Sequence, residues 1–148
     1  SHITSTTGLI FPVHEICVEA KKRGLIAIVD GAHVPGHIDL DLSEIQADYY
    51  TGTLHKWLLA PKGSAFLYVH KGRQATFKPF MISWGYESEA YSGNRFLDEN
   101  EIQGTRDISS FLCTPAIFDF REKYQWPDKI KACKEVILEV VLFNFWIT

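Results

Sequence analysis

The sequence has few of the features that mark disulfide-bonded, metal-binding or nucleic-acid-binding proteins. Its three cysteines, Cys17, Cys113 and Cys133, are scattered singly, without a Cys-x-x-Cys pair. Free thiols are therefore expected, rather than a disulfide framework or a zinc site. The histidines show no metal-ligand spacing, so no metal site is expected. The formal net charge of -3 gives no electrostatic reason to bind nucleic acid or an anionic membrane.

The sequence also has little that suggests export or membrane insertion. The first residues, "SHITSTTG", contain neither a basic nor an apolar signal-peptide region, so we expect a cytoplasmic protein. The apolar run "VILEVVLFNFWIT" has Glu139 as its one charge, but it is shorter than the ~20 residues of a membrane span. We interpret this run as a buried helix whose covering partner lies elsewhere, and we expect no membrane partner.

The hydrophobic content, 46% with 14% aromatic residues, suffices for the core of one domain. The segment "PVHEICVEAKKRG" predicts a helix, because Pro12 suits the first helical position and Gly24 the position just past the end. Apolar residues recur there at i, i+3, i+4 and i+7, which is one helical face. A second, short helix is predicted over "SEIQAD", with Ser43 as its cap.

Three segments predict strands, namely "LIAIVD", "DYYTGT" and "SAFLYVH". The continuous apolar residues of the first are typical of a strand that is buried on both faces in a parallel sheet. The chain from Lys71 to Gln103 is expected to be irregular. Helical spacing resumes in "DISSFLCTPAIFDFREKY", where Pro115 starts or bends the helix, and a last helix opens at Pro127. This order predicts an α/β fold with a mostly parallel sheet flanked by helices.

Polar and ionisable residues follow the ends of the first two predicted strands. In α/β sheets, ligands bind at the carboxyl ends of the strands. We therefore expect these residues to share one crevice: Asp30, His33, Thr53, His55 and Lys56.

These residue types suit pyridoxal phosphate. A lysine shielded by Trp57 and flanked by His55 can form an imine, because desolvation and nearby cations favour the neutral amine. A carboxylate such as Asp30 keeps a pyridinium nitrogen protonated and the ring electron-poor. Thr53 and His55 can donate hydrogen bonds to a phosphate.

Each residue also has a purely structural interpretation. Lys56 taken alone is an ordinary surface lysine. Asp30 precedes a glycine, as residues that cap turns often do. Thr53 suits any strand, and His33 and His55 suit a polar sheet edge. The local sequence leaves these alternatives open.

The motifs "VDGAHVPGHIDLDL", "TGTLHKWLLAPKGSAFLYV" and "QGTRD" resemble class V aminotransferase-fold enzymes. That family includes cysteine desulfurases, kynureninase-like hydrolases and isopenicillin N epimerase-like proteins, and the likeness is greatest to the epimerase-like branch. The resemblance implies part of the large domain of a fold-type I pyridoxal-phosphate-dependent transferase. It further implies a cofactor, pyridoxal 5'-phosphate, and an amino-acid or amino-acid-derived substrate.

The resemblance assigns roles position by position. Lys56 matches the lysine that holds the cofactor as a Schiff base and then moves the proton at the substrate Cα. Asp30 matches the partner of the pyridine nitrogen. His33 stands where the family has Gln or His beside the ring hydroxyl and the imine. Thr53 and His55 match donors to the phosphate.

Two further positions match with less similarity. Thr105, in "QGTRD", matches a residue that reaches the phosphate of the neighbouring subunit's cofactor in family dimers. Ser5 stands where desulfurases often have an Asn bonded to the ring hydroxyl. We therefore expect a homodimer in the full-length enzyme.

The resemblance also predicts the domain organisation. Residues 1–126 are expected to form a partial cofactor-binding large domain, and residues 127–148 a C-terminal helix that is an altered or truncated start of the next region. Neither the phosphate-binding turn, nor the ring-stacking residue, nor the small C-terminal domain of the family is found, so the chain is expected to be a fragment. Cys113 and Cys133 do not match the sulfur-accepting cysteine of desulfurases and are expected to be buried in helices.

The predicted function is Cα–H proton transfer on an amino acid through Lys56. Epimerisation, transamination and lyase outcomes, including cysteine desulfuration, use the same chemistry and stay open. The alternative from another class is a catalytically inert fragment that acts as an interaction module through its apolar C-terminal helix.

Overall fold

A computed structural model describes residues 1–90 and 92–145 of the chain, with the side chains of residues 1–90 and 92–140. The three strands within this part are β1 (Ile28–Asp30), β2 (Tyr49–Thr53) and β3 (Ala65–Val69). The same described residues form seven helices, namely α1 (Val13–Lys22), α2 (Leu42–Ile45), α3 (Lys71–Gln74), α4 (Arg95–Asn100), α5 (Ser109–Leu112), α6 (Thr114–Lys123) and α7 (Trp126–Phe145).

The strands form one sheet in the order β1-β2-β3. β1 and β2 are parallel, with Asp30 opposite Thr51, whereas β3 runs antiparallel to β2. The sheet is therefore mixed rather than mostly parallel over the described residues, because a connection of eleven residues (54–64) returns the chain directly along β2. The α/β class and all three predicted strands are confirmed, although β1 begins at Ile28 and not at Leu25.

Some helix predictions need correction. The short helix α2 is capped by Asp41, whose side chain accepts the Ser43 backbone N–H, and not by Ser43. The segment expected to be irregular contains the helices α3 and α4. The predicted helix around Pro115 is two helices, α5 and α6, with the proline in the first turn of α6, where a missing N–H costs no hydrogen bond.

The core lies between α1, α2 and one face of the sheet. It consists of Val13, Cys17, Val29, Ile45, Ala47 and Tyr50. Burial of these side chains fixes α1 and α2 against the strands. The strand ends that carry the predicted site residues are therefore built on a packed layer.

The C-terminal helices are more exposed to solvent than α1 and the sheet. Cys113 and Cys133 are exposed, so the prediction that they are buried is wrong. The packing of α6 against α7 lies at the start of α7, where Phe120 contacts the Trp126 ring. Beyond it, Val136, Ile137, Leu138 and Val140 are each more than half exposed, so no part of the described chain covers them. The side chains of residues 141–148, the rest of the predicted run, lie outside the described residues. No helix in the described part is long and apolar enough to cross a membrane.

The Asp48 side chain connects the residue before β1 to helix α3. Its carboxylate accepts the Ala27 backbone N–H at 2.8 Å, next to β1. It also accepts Arg73 Nε of α3 at 2.6 Å. Burial raises the pKa of Asp48, but the hydrogen bonds from Ala27 and Arg73 and the charge of Arg73 outweigh it, so the pKa lies below its ordinary value.

We expect Asp48→Asn to lower the free energy of unfolding by about 1–3 kcal/mol at pH 7, because a charged acceptor with two donors is removed. The folded-state pKa of Asp48 is depressed. Its contribution is therefore present above about pH 4 and is lost as the pH falls through the folded-state pKa. Urea unfolding at pH 7 and at acid pH measures both effects.

The control is Asp39→Asn, since the exposed Asp39 side chain has no hydrogen-bond partner among the described residues. A wild-type advantage over Asp48→Asn that persists undiminished in acid would contradict the electrostatic account.

Candidate active site

The site begins where two parallel strands end side by side. Asp30 at the end of β1 is in register with Thr51 of β2. The Gly31 N–H continues the pairing by donating to the Thr51 carbonyl at 2.8 Å. The loops after β1 and β2 therefore leave the same edge of the sheet, as the sequence predicts.

The loops bring Lys56 to His33. Lys56 Nζ lies 2.9 Å from His33 Nε2, although the two residues are 23 positions apart, and both side chains are partly buried. A lysine ammonium only donates hydrogen bonds. A charged Lys56 therefore pairs with a neutral His33 ring that accepts at Nε2 and carries its proton on Nδ1. The contact gives the lysine amine a fixed direction and a neighbour that can hold a proton.

Asp30 caps a turn and keeps one carboxylate oxygen unpaired in the described part of the chain. Its Oδ1 accepts the Ala32 backbone N–H at 2.9 Å, which is the turn-capping role. The side chain is exposed, and Oδ2 has no hydrogen-bond partner within the described residues. One carboxylate oxygen thus anchors the turn, and the other is available to a ligand.

Thr53 and His55 differ in what they can offer a ligand. Thr53 Oγ1 donates to the Ala32 carbonyl at 2.8 Å, so its proton is used in holding β2 to the turn after Asp30. His55 is partly buried and has no hydrogen-bond partner within the described residues. His55 therefore keeps a free ring nitrogen as a donor, whereas Thr53 acts first as a structural residue.

The structure does not bring Ser5 and Thr105 to this cluster. Ser5 is exposed in the turn between Ile3 and Ile10, which form an isolated bridge. Thr105 is exposed in the loop between α4 and α5. Among the described contacts, none joins either residue to Lys56.

A buried polar pair that the sequence does not predict lies beneath Asp30. His2 Nδ1 lies 2.9 Å from the Tyr50 hydroxyl. Both side chains are buried, His2 at 8% exposure and Tyr50 at 0%. The His2 backbone N–H also donates to the Asp30 carbonyl at 2.7 Å. No sequence signal joins two residues that are 48 positions apart.

The buried pair has ionisation properties that follow from its surroundings. Burial lowers the pKa of His2, which favours the neutral ring. Burial, and to a lesser degree the negative charge of Asp30, raises the pKa of Tyr50. A Cβ at Gly31 would overlap the Tyr50 hydroxyl and ring, so only glycine fits between this pair and the Asp30 turn. The pair therefore supports the turn that carries the Asp30 carboxylate.

No group of three His, Cys, Asp or Glu side chains in the described part of the chain is placed to hold a metal ion. The chemical groups at the edge are an amine, two imidazoles, a carboxylate and a hydroxyl. They suit an organic cofactor that needs a nucleophile at one end and an anion at the other.

The chain belongs to the class-V aminotransferase family, because the model of that family matches residues 1–135. This is a family of pyridoxal-phosphate enzymes. The isopenicillin N epimerase of Streptomyces clavuligerus is 49% identical over 131 residues, which is 82% of this chain and 33% of that protein. The isopenicillin N epimerase of Amycolatopsis lactamdurans is 42% identical, over 82% of this chain and 33% of that protein.

Other relatives are named as L-cysteine desulfhydrases. The probable chloroplastic L-cysteine desulfhydrase of Arabidopsis thaliana is 36% identical over 84% of this chain and 26% of that protein. The chain thus spans about a third or less of the length of these curated relatives.

Solved structures agree with the fold. The apo cysteine desulfurase of Thermococcus onnurineus NA1 matches with a TM-score of 0.69 and 25% identity, over 85% of this chain and 32% of that one. The cystine C-S lyase C-DES, in complex with its reaction product cysteine persulfide, matches with a TM-score of 0.71 and 24% identity, over 82% of this chain and 34% of that one. The predicted family and fold class are confirmed.

We expect Tyr50→Phe to lower the free energy of unfolding by about 1–3 kcal/mol, because it leaves the buried His2 Nδ1 without its partner. Urea unfolding at pH 7 measures this. Tyr68→Phe is the matched control, since Tyr68 is opposite Tyr50 in the sheet and its hydroxyl has no hydrogen-bond partner in the described residues. Equal stabilities for the two variants would show that the buried bond contributes nothing.

Proposed function

We propose that this chain contributes Lys56, His33 and Asp30 to a pyridoxal-phosphate site that acts on the Cα–H bond of an amino acid. The observation that carries the proposal is the contact of 2.9 Å between Lys56 Nζ and His33 Nε2 at the carboxyl ends of two parallel strands. Membership of the class-V aminotransferase family supports it.

The side chains present fit the cofactor. An amine is needed for its aldehyde carbon, and Lys56 is partly buried beside an imidazole. An anion is needed for its ring nitrogen, and Asp30 has one carboxylate oxygen free while the other is anchored by the Ala32 N–H. His55 has a ring nitrogen free to donate to the phosphate.

When bound, the cofactor supplies an electron-poor ring that accepts the electron pair left at Cα after the proton departs. Lys56 is the residue that takes the Cα proton and returns it. His33 orients the lysine amine through its Nε2 lone pair. Asp30 holds the proton on the ring nitrogen. The turn-anchoring bond to Ala32 keeps that carboxylate from rotating away.

Thr53, Ser5 and Thr105 have weaker support. Thr53 would have to release the Ala32 carbonyl before donating to a phosphate. Ser5 and Thr105 are exposed on loops, which leaves them accessible to a second subunit. Their cofactor-binding roles and the homodimer stay predictions from the family resemblance.

Epimerisation is the outcome we favour, because the relatives that are 49% and 42% identical are isopenicillin N epimerases. It needs only that the proton return to the other face of Cα. A lyase outcome is the second candidate, supported by the desulfhydrase relative at 36% identity. Exchange of the Cα proton with solvent deuterium without release of sulfide favours epimerisation, and sulfide release favours the lyase.

The third candidate is an inert interaction module. Its support is the exposed apolar surface of α7 formed by Val136, Ile137, Leu138 and Val140. Size-exclusion chromatography with cofactor titration separates it from the enzyme proposals, since such a module would associate without binding cofactor.

We expect borohydride, added to the chain with pyridoxal phosphate, to fix the cofactor covalently on Lys56. Lys56 combines partial burial with a hydrogen-bond acceptor that directs its amine. Peptide mapping by mass spectrometry locates the adduct.

Lys56→Ala should abolish that adduct, whereas Lys62→Ala, at an exposed lysine in the same loop, should leave it intact. Equal labelling of Lys56 and the surface lysines, or an adduct that survives Lys56→Ala, would refute the proposal.

A further inference from the structure

Arg121 of α6 contacts both loops of the site. Its Nη1 donates to the Trp57 carbonyl at 2.9 Å, and its Nη2 donates to the Gly36 carbonyl at 3.3 Å. Trp57 directly follows Lys56, and Gly36 is three positions after His33. One guanidinium therefore joins the two segments that carry the amine and the imidazole.

The two loops are also packed tightly where Arg121 bridges them. A Cβ at Gly36 would lie 2.7 Å from the backbone of Leu58, and Gly36 has a φ of +80°, which suits glycine. The His37 ring stacks on the Trp57 ring with centroids 4.2 Å apart. Lys134 of α7 donates to the His37 carbonyl at 3.0 Å. Side chains of the C-terminal helices thus supply donors for three carbonyls of these loops.

Arg121 has no carboxylate partner among the ion pairs of the described residues. Burial lowers the pKa of Arg121, because desolvation disfavours the charged guanidinium. A partly buried cation without an anion is stabilised here by the carbonyls it binds. A guanidinium suits this task because its donors diverge in a rigid planar fork that reaches two acceptors at once.

We propose that Arg121 is a positioning residue that holds the His33 and Lys56 loops together and so maintains the contact between Lys56 Nζ and His33 Nε2. The role of Arg121 in reactivity rests on the proposed function of Lys56. The role of Arg121 in the geometry of the two loops does not depend on that proposed function.

The first test measures the His33 ring without cofactor. In the ¹⁵N-labelled full chain, long-range ¹H–¹⁵N correlation spectra report which ring nitrogen carries the proton, and His33→Gln assigns the signal. We expect the wild type to show Nδ1–H with Nε2 as acceptor. In Arg121→Gln the two ring nitrogens should move toward the averaged shifts of an exchanging imidazole.

The matched control is Arg23→Gln, because the exposed Arg23 side chain, just past the end of α1, pairs with Glu19 and with no other residue in the described part of the chain. Its His33 signal should equal that of the wild type. A wild-type His33 signal in folded Arg121→Gln would overturn the inference, even if the melting temperature falls.

Arg121→Lys decides the question if Arg121→Gln does not fold. It keeps the charge, but a single ammonium lacks the fork that spans both carbonyls. Averaging of the His33 signal in this variant supports the inference, and an unchanged signal overturns it.

The second test compares the rate of covalent trapping of pyridoxal phosphate at Lys56. Because misplacement of a reacting group by about 1 Å can cost on the order of a hundredfold, we expect a fall on the order of tenfold or more in Arg121→Gln and none in Arg23→Gln. Failure of the wild type to trap cofactor counts against the proposed function alone, since the His33 spectra still decide the role of Arg121.

Discussion

The parallel pairing of β1 with β2 is the constraint on which the rest of the site depends. It places Asp30 opposite Thr51, so the loops that follow the two strands start about one strand spacing apart, roughly 5 Å. Without this register, neither the His33–Lys56 contact nor the bridge from Thr53 to Ala32 could form. The core beneath the sheet, which includes Val29 of β1 and Tyr50 of β2, favours this register, because a slip of one residue would turn the buried side chains to the other face.

Hydrogen bonds to backbone, rather than ion pairs between site residues, hold the loops in place. Asp30 accepts the Ala32 N–H, Thr53 donates to the Ala32 carbonyl, and Arg121 donates to the Trp57 and Gly36 carbonyls. Because these bonds use other groups, Lys56 Nζ and His33 Nε2 are free to bond to each other. They also explain why a loop-rich edge can present its side chains in a fixed arrangement.

The sequence predicted the architecture well where periodicity and turn residues agreed. The helix after Pro12 and the three strands follow from local patterns, as does the position of Pro115 in the first turn of a helix. The errors fall where competition between neighbours decides, as for Asp41 rather than Ser43 at the cap of α2. Exposure of Cys113 and Cys133 was also not predictable, because helical spacing indicates which face is apolar but not whether anything covers it.

By itself, the sequence determined which groups are candidates for the site, because residue types, their order and their positions after strands are written in the chain. Lys56, His33, His55 and Asp30 could be selected in this way. Only the tertiary structure decided which of these groups meet, and it added His2, Tyr50 and Arg121, whose contacts span 48 to 85 positions. Contacts at such separations depend on the packing of the whole domain, so a local sequence pattern cannot predict them.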